Sequence, residues 1–151
     1  PTSSSPAEAP STTGSRRSVT TATASPPATI RSIQPATGAP LAASYAAGEP
    51  VAIDYRASFV DGAGSKALLP AMWERARSLV ADAVAVPLDE VAEAVRLLAT
   101  RAHVVAEGAG ALSLAAAIAG RGGAGRVVCV VSGGNIDADR LATILGGRVP
   151  D

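Results

Sequence analysis

Aromatic residues make up only 3% of the 151-residue chain, which also has a single cysteine, a single histidine and a single lysine. One cysteine, Cys129, leaves no internal disulfide, which fits a reducing compartment and a cytoplasmic location. One histidine, His103, with scattered carboxylates builds no metal centre and no Ser/His/Asp arrangement. It falls where a helix is expected to end, and reads as a helix C-terminal residue that suits the dipole. Lys+Arg and Asp+Glu both number 13, so there is no charge footprint for nucleic acid or an anionic membrane. No run of 18 apolar residues is present to form a spanning helix. The amino terminus has no apolar stretch of the signal-peptide kind. It begins with Pro1, not Met, so the natural start is expected elsewhere.

Residues 1–28 are almost entirely Pro, Ser, Thr and Ala. Such a segment cannot bury enough apolar surface to offset its ordering entropy, about 1–2 kcal/mol per residue. It reads as a disordered tail, with residues 29–151 forming the folded part. There the pattern predicts strands at 29–33, 83–86 and 126–131. Helices are expected at 39–47, 69–81, 87–101, 111–119 and 137–145. Pro40 falls in the first turn of its helix and Gly48 stops it. Met72, Ala76, Leu79 and Val80 form the expected inner face of the 69–81 helix. Leu88, Val91, Val95 and Leu98 do so for the next one.

Strands alternating with helices predict an α/β fold, a parallel sheet with flanking helices. Val127-Val128-Cys129-Val130-Val131 is apolar on both faces, as a central parallel strand must be, and it predicts an inert, buried Cys129 thiol. Ligands of open α/β sheets bind beyond the carboxyl ends of strands. Ser132-Gly133-Gly134-Asn135 sits at such an end. Its glycines permit positive φ or close approach of backbone to a flat ligand. Alone, the spacing is equally that of a strand-to-helix turn, with Asn135 or Asp137 as the helix cap.

The segment Arg126–Asp137, around Ser132-Gly133-Gly134-Asn135, resembles the hallmark of fold-type-II pyridoxal-phosphate (PLP) lyases. This is the threonine/serine dehydratase and serine racemase group. Three further blocks resemble that family in the right order. They are Ile33-Gln34-Pro35 with Ala39-Pro40 and Gly48-Glu49-Pro50, then Phe59-Val60-Asp61-Gly62 continued by Trp73, then Val105-Ala106-Glu107-Gly108-Ala109-Gly110. The resemblance spans roughly residues 29–147 and covers a carboxy-terminal half. It implies a fragment of a tryptophan synthase β-like domain and β-elimination of L-threonine or L-serine to an α-keto acid and ammonia. A serine racemase-like enzyme, or a non-catalytic partner module that kept the scaffold, are the alternatives. It also implies a small amino-acid substrate and a homo-oligomer in the full-length form.

Residue by residue, the resemblance implies that Ser132 hydrogen-bonds the pyridine nitrogen of PLP, with Gly133 beside it. It sets Gly62 against the cofactor by its backbone and Glu107 near the ring. Outside the family, Gly62 reads as a turn glycine and Glu107 as a helix-start carboxylate that suits the dipole. No residue of the chain is assigned a catalytic role. The family's lysine that bonds the cofactor lies in a Ser-x-Lys motif upstream of these blocks. Lys66, in Gly64-Ser65-Lys66, lies in the wrong block and reads as a solvated loop residue. The family's glycine-rich phosphate loop is replaced by the 1–28 tail. That tail is therefore read as foreign sequence, from a shifted reading frame or a misplaced gene boundary. No regulatory domain is expected after the Ser132 turn.

Overall fold

The computed structural model describes residues 29–151. The tail assigned to 1–28 lies outside the described residues. Two parallel strands form the sheet, β1 (Arg31–Pro35) and β2 (Asp82–Val86), in register from Arg31 opposite Asp82 to Pro35 opposite Val86. Between them the chain crosses over through α1 (Pro40–Ala47) and α2 (Pro70–Leu79). After β2 come α3 (Leu88–Leu97), α4 (Gly108–Ile118) and α5 (Ala138–Leu145). Helices α1 and α4 lie against the sheet, and α3 packs on α4 and α5. This is the α/β architecture with parallel strands that the pattern predicts.

Helix α1 forms where Pro40 fixes the first turn and Gly48, at φ 78°, ends it. The Gln34 side-chain carbonyl accepts the N–H groups of Leu41 and Ala42, at 3.0 and 3.1 Å. A buried strand side chain thus satisfies two donors that open a helix, and ties β1 to α1.

Helix α2 departs from the expected face. Met72 and Leu79 are 53% and 64% exposed, and Trp73 is the buried residue. The Trp73 ring meets Tyr45 of α1 edge-on, with centroids 5.4 Å apart. The Tyr45 hydroxyl lies 2.6 Å from the Val80 carbonyl and 3.1 Å from that of Ala76. One aromatic pair sets the rotation of the helix, and two aliphatic side chains follow it outward.

Helix α3 buries Val91 and Val95 as its period predicts. Its last turn widens to a π-helix, Leu98–Ala102, and Leu98 is also buried. His103 closes it in the left-handed region, φ 57°, donating its N–H to the Leu98 carbonyl. A residue that ends a helix is what the sequence expects of His103. Val86, Val91, Val95, Leu112, Phe59 and Ile144 belong to one continuous core.

The run 126–131 is not a strand in this chain, against expectation. It has no ladder partner among the described residues, and the sheet has two strands. Val128 and Val130 are 89% and 69% exposed. Val127 and Val131, on the other side, are exposed as well, and the run touches α4 at Cys129 and Val130. The Ser113 hydroxyl of α4 donates to the Val130 carbonyl at 2.8 Å, and the Cys129 thiol lies 3.4 Å from the Ser113 carbonyl. Cys129 is accordingly half-buried instead of fully buried. Apolar composition gave the segment its strand propensity, but a strand needs neighbours to bond to.

Candidate functional site

Three segments meet at the first turn of α4. The start of the helix carries glycines at two positions, and each admits a different neighbour. A Cβ on Gly108 would lie 2.9 Å from Val60 and 3.1 Å from the Phe59 ring. A Cβ on Gly110 would lie 2.5 Å from the Gly133 carbonyl oxygen. The helix is therefore gripped between the Phe59–Gly62 loop and the Ser132–Gly134 turn. The Glu107 N–H, just ahead of the helix, donates to the Gly133 carbonyl at 3.0 Å and fastens the turn.

Gly62, Glu107 and Gly133 come together here, as three of the four expected cofactor residues. A Cβ on Gly133 would overlap the Glu107 carboxylate, whose Oε1 lies 3.9 Å from the corresponding position on Gly62. Gly62 is exposed, and its own Cβ position is 3.1 Å from the Ala109 methyl. Glu107 is half-buried, so its carboxylate occupies the gap between the loop and the turn. Ser132, the fourth, is exposed at the tip of the turn, with its hydroxyl open to an external group. It is neither inside a packed core nor sealed off.

The glycines of the turn have a different reason from the one the sequence suggests. Neither Gly133 nor Gly134 is among the residues with positive φ. What excludes a side chain is space: Glu107 at Gly133, and the Val105 carbonyl 2.7 Å from the Cβ position of Gly134. Packing of protein on protein accounts for both. Asp137 takes the N-cap position of α5 without a side-chain cap bond, so neither Asn135 nor Asp137 caps by its side chain.

Sequence reasoning missed the contribution of Val105, Ala109 and Gly110 as the seat of the turn. It also missed Arg140, whose guanidinium reaches Asp61, next to Gly62, at 3.1 Å. The signal for Ala109 and Gly110 was present in the run of small residues at 108–111, and Val105 acts through its backbone carbonyl, which carries no sequence signal. For Arg140 there was none, because the pair is 79 residues apart.

The donor set suits the ring end of a pyridine cofactor. Ser132 offers a neutral hydroxyl, and Gly62 and Gly133 leave bare backbone on either side of one carboxylate. Lys66 is exposed on its loop, and its carbonyl accepts the Ile53 N–H at 2.9 Å. It is not among the residues gathered at α4. A recess of about 500 Å³ beyond the carboxyl ends of β1 and β2 is lined by Thr37, Arg56, Ser58 and Leu88, among others. None of the four expected residues lines it; they lie at the surface, with Gly62 and Ser132 exposed and Glu107 half-buried. Among the described residues no group of His, Cys, Asp and Glu could hold a metal ion.

Comparison with known proteins shows the family. The sequence pattern of the family described as pyridoxal-phosphate dependent enzyme matches residues 16–133. It thus begins inside the segment read as tail. The chain is 37% identical over 123 residues to the biosynthetic L-threonine dehydratase IlvA of Bacillus subtilis (strain 168), covering 78% of the chain and 28% of that protein. To the catabolic L-threonine dehydratase TdcB of Escherichia coli (strain K12) it is 36% identical over 110 residues, covering 70% and 33%. Among solved structures, a threonine deaminase of T.th. superposes with a TM-score of 0.63 at 28% identity, over 72% of this chain and 40% of that one. Maize serine racemase superposes with a TM-score of 0.67 at 26% identity, over 76% and 37%. The chain thus spans about a third of the length of the dehydratases it matches.

Proposed function

The chain belongs to the family of pyridoxal-phosphate dependent enzymes, and from that membership we propose that it serves the deamination of L-threonine or L-serine to an α-keto acid and ammonia. The observation that carries the reading is the meeting of Gly62, Glu107 and Gly133 at the start of α4, with the Ser132 hydroxyl open beside them. Likeness to two threonine dehydratases at 36–37% identity supports the same reaction class.

In this reading the Ser132 hydroxyl donates a hydrogen bond to the pyridine nitrogen. Gly62 and Gly133 would present bare backbone beside the ring, Glu107 would stand near it, and the Glu107 N–H holds the turn that carries Ser132. When bound, pyridoxal phosphate supplies an electron sink for the substrate α-carbon, a weaker one against a neutral hydroxyl than against a carboxylate, which favours early loss of a β-hydroxyl. The lysine that bonds the cofactor and the phosphate cradle come from outside these 151 residues. The chain alone is inactive, and the longer form is a cytoplasmic homo-oligomer acting on a small amino acid.

The test is complementation. The chain is mixed with PLP and a polypeptide carrying the upstream, lysine-bearing part of the Bacillus subtilis dehydratase, then given L-threonine or L-serine. Keto acid should form only when both polypeptides are present. D-serine without keto acid would transfer the assignment to racemisation, the activity named for the maize neighbour. Borohydride treatment of the chain with PLP alone should leave Lys66 unmodified. An adduct there, lost in Lys66→Ala, would overturn the account of the lysine.

A further inference from the structure

Arg140 stands on the first turn of α5, downstream of Gly133. Its Nη1 lies 3.1 Å from Asp61 Oδ2 and its Nε 3.7 Å from Asp137 Oδ2. Asp61 immediately precedes Gly62, and Asp137 immediately precedes α5. One guanidinium therefore straddles the two segments that carry Gly62 and Ser132. Ile144, one turn further on and 1% exposed, anchors the same helix in the core. This gives Arg140 a rigid base, whereas the Phe59–Gly62 loop has no regular structure. Phe59 and Val60 are buried, so the root of the loop is fixed by packing. Its tip, Asp61-Gly62, is exposed; Gly62 lies beside Ala109, and Arg140 reaches across to Asp61. Arg140 also lies beyond residue 133, where the family pattern stops.

We propose that Arg140 is a positioning residue that holds the Asp61-Gly62 tip in place beside the start of α4. The inference rests on the cofactor reading above for its purpose, but not for the clamp itself. The guanidinium donates a hydrogen bond to Asp61, whereas Asp137, at 3.7 Å, is a longer ion pair local to the start of α5. Arg140 and Asp61 are 36% and 70% exposed, which makes the clamp modest in strength and sensitive to salt.

Hydrogen exchange read by mass spectrometry on the whole chain tests it. Arg140→Ala and Asp61→Asn should each speed exchange of the 61–64 amides by about two- to fivefold, as an exposed pair allows. The double variant should add nothing further. Arg140→Lys should restore part of the protection. Asp137→Asn, which removes only the local pair at the start of α5, should leave 61–64 unchanged, and about 1 M salt should erase the wild-type advantage. The probe for purpose is pyridoxamine 5'-phosphate, which forms no bond with amines, added together with the upstream, phosphate-cradling polypeptide of the complementation test. It should protect 61–64 and 132–134 in the wild type and less in Arg140→Ala. Unchanged 61–64 exchange in both Arg140→Ala and Asp61→Asn, with both variants folded, overturns the clamp. Faster exchange in those variants with no protection by the probe in the wild type upholds the clamp and counts against the cofactor reading instead.

Discussion

Gly133 is a glycine because of Glu107. Its backbone has no left-handed φ to accommodate, but the carboxylate stands where a Cβ would be. This makes a sharp expectation at the scale of single residues. Gly133→Ala should destabilise the chain by about 1–3 kcal/mol, the usual cost of overpacking. Glu107→Ala removes the obstacle, so the double variant should recover most of that loss. Chemical denaturation of the four proteins measures the coupling, and strict additivity would show that the two do not touch. A second residue-scale expectation concerns acid. Arg96 Nε donates to Glu93 Oε2 at 2.7 Å on the surface of α3. This hydrogen bond, with burial opposing and the guanidinium charge assisting, holds the Glu93 carboxyl below its ordinary 4.5. A folded value below the unfolded one means the pair stabilises fully above about pH 4.5 and loses its contribution as pH falls through the folded value. Glu93→Gln should therefore leave a slightly shallower acid limb in a stability–pH titration and a small loss at neutral pH. An acid limb identical to that of the wild type would show that the pair contributes nothing.

At the scale of elements, the sequence is readable where local rules decide and misleading where partners do. Pro40 and Gly48 bound α1, and the apolar stripe of α3 faces the core, because each depends on residues within a few positions. The face of α2 differs from its aliphatic pattern because Trp73 meets Tyr45 from another helix and overrides it. The run 126–131 is legible as apolar and extended, but not as unpaired. Periodicity describes a strand and says nothing of what stands beside it. Likewise the four-block resemblance pointed to Gly62, Glu107, Ser132 and Gly133, of which the fold brings three together, while Arg140 needed the fold. Two outcomes follow for elements. Val128→Lys, on the open side of the run, should shift stability by less than about 0.5 kcal/mol and reduce light scattering at high concentration. Marked destabilisation would mean that Val128 is covered. Ile144→Ala should cost about 2–5 kcal/mol, because α5 enters the core through that side chain. A loss below about 1 kcal/mol would show that α5 is held elsewhere.

At the scale of the whole molecule, an α/β unit of this family brings together three of the residues proposed to hold the ring end of the cofactor and leaves one long apolar run exposed. Exposed valines in such a run are what the proposed larger assembly would cover. Turnover is accordingly expected only when a second polypeptide supplies the lysine and the phosphate cradle. The central claim is narrower and can be read directly. PLP labelled with 15N at the ring is bound in the complemented complex, and the ring-nitrogen chemical shift is compared between wild type and Ser132→Asp. The predicted result is an unprotonated pyridine signal in the wild type, moved to the protonated range by the carboxylate. A ring nitrogen indifferent to what stands at position 132 would contradict it.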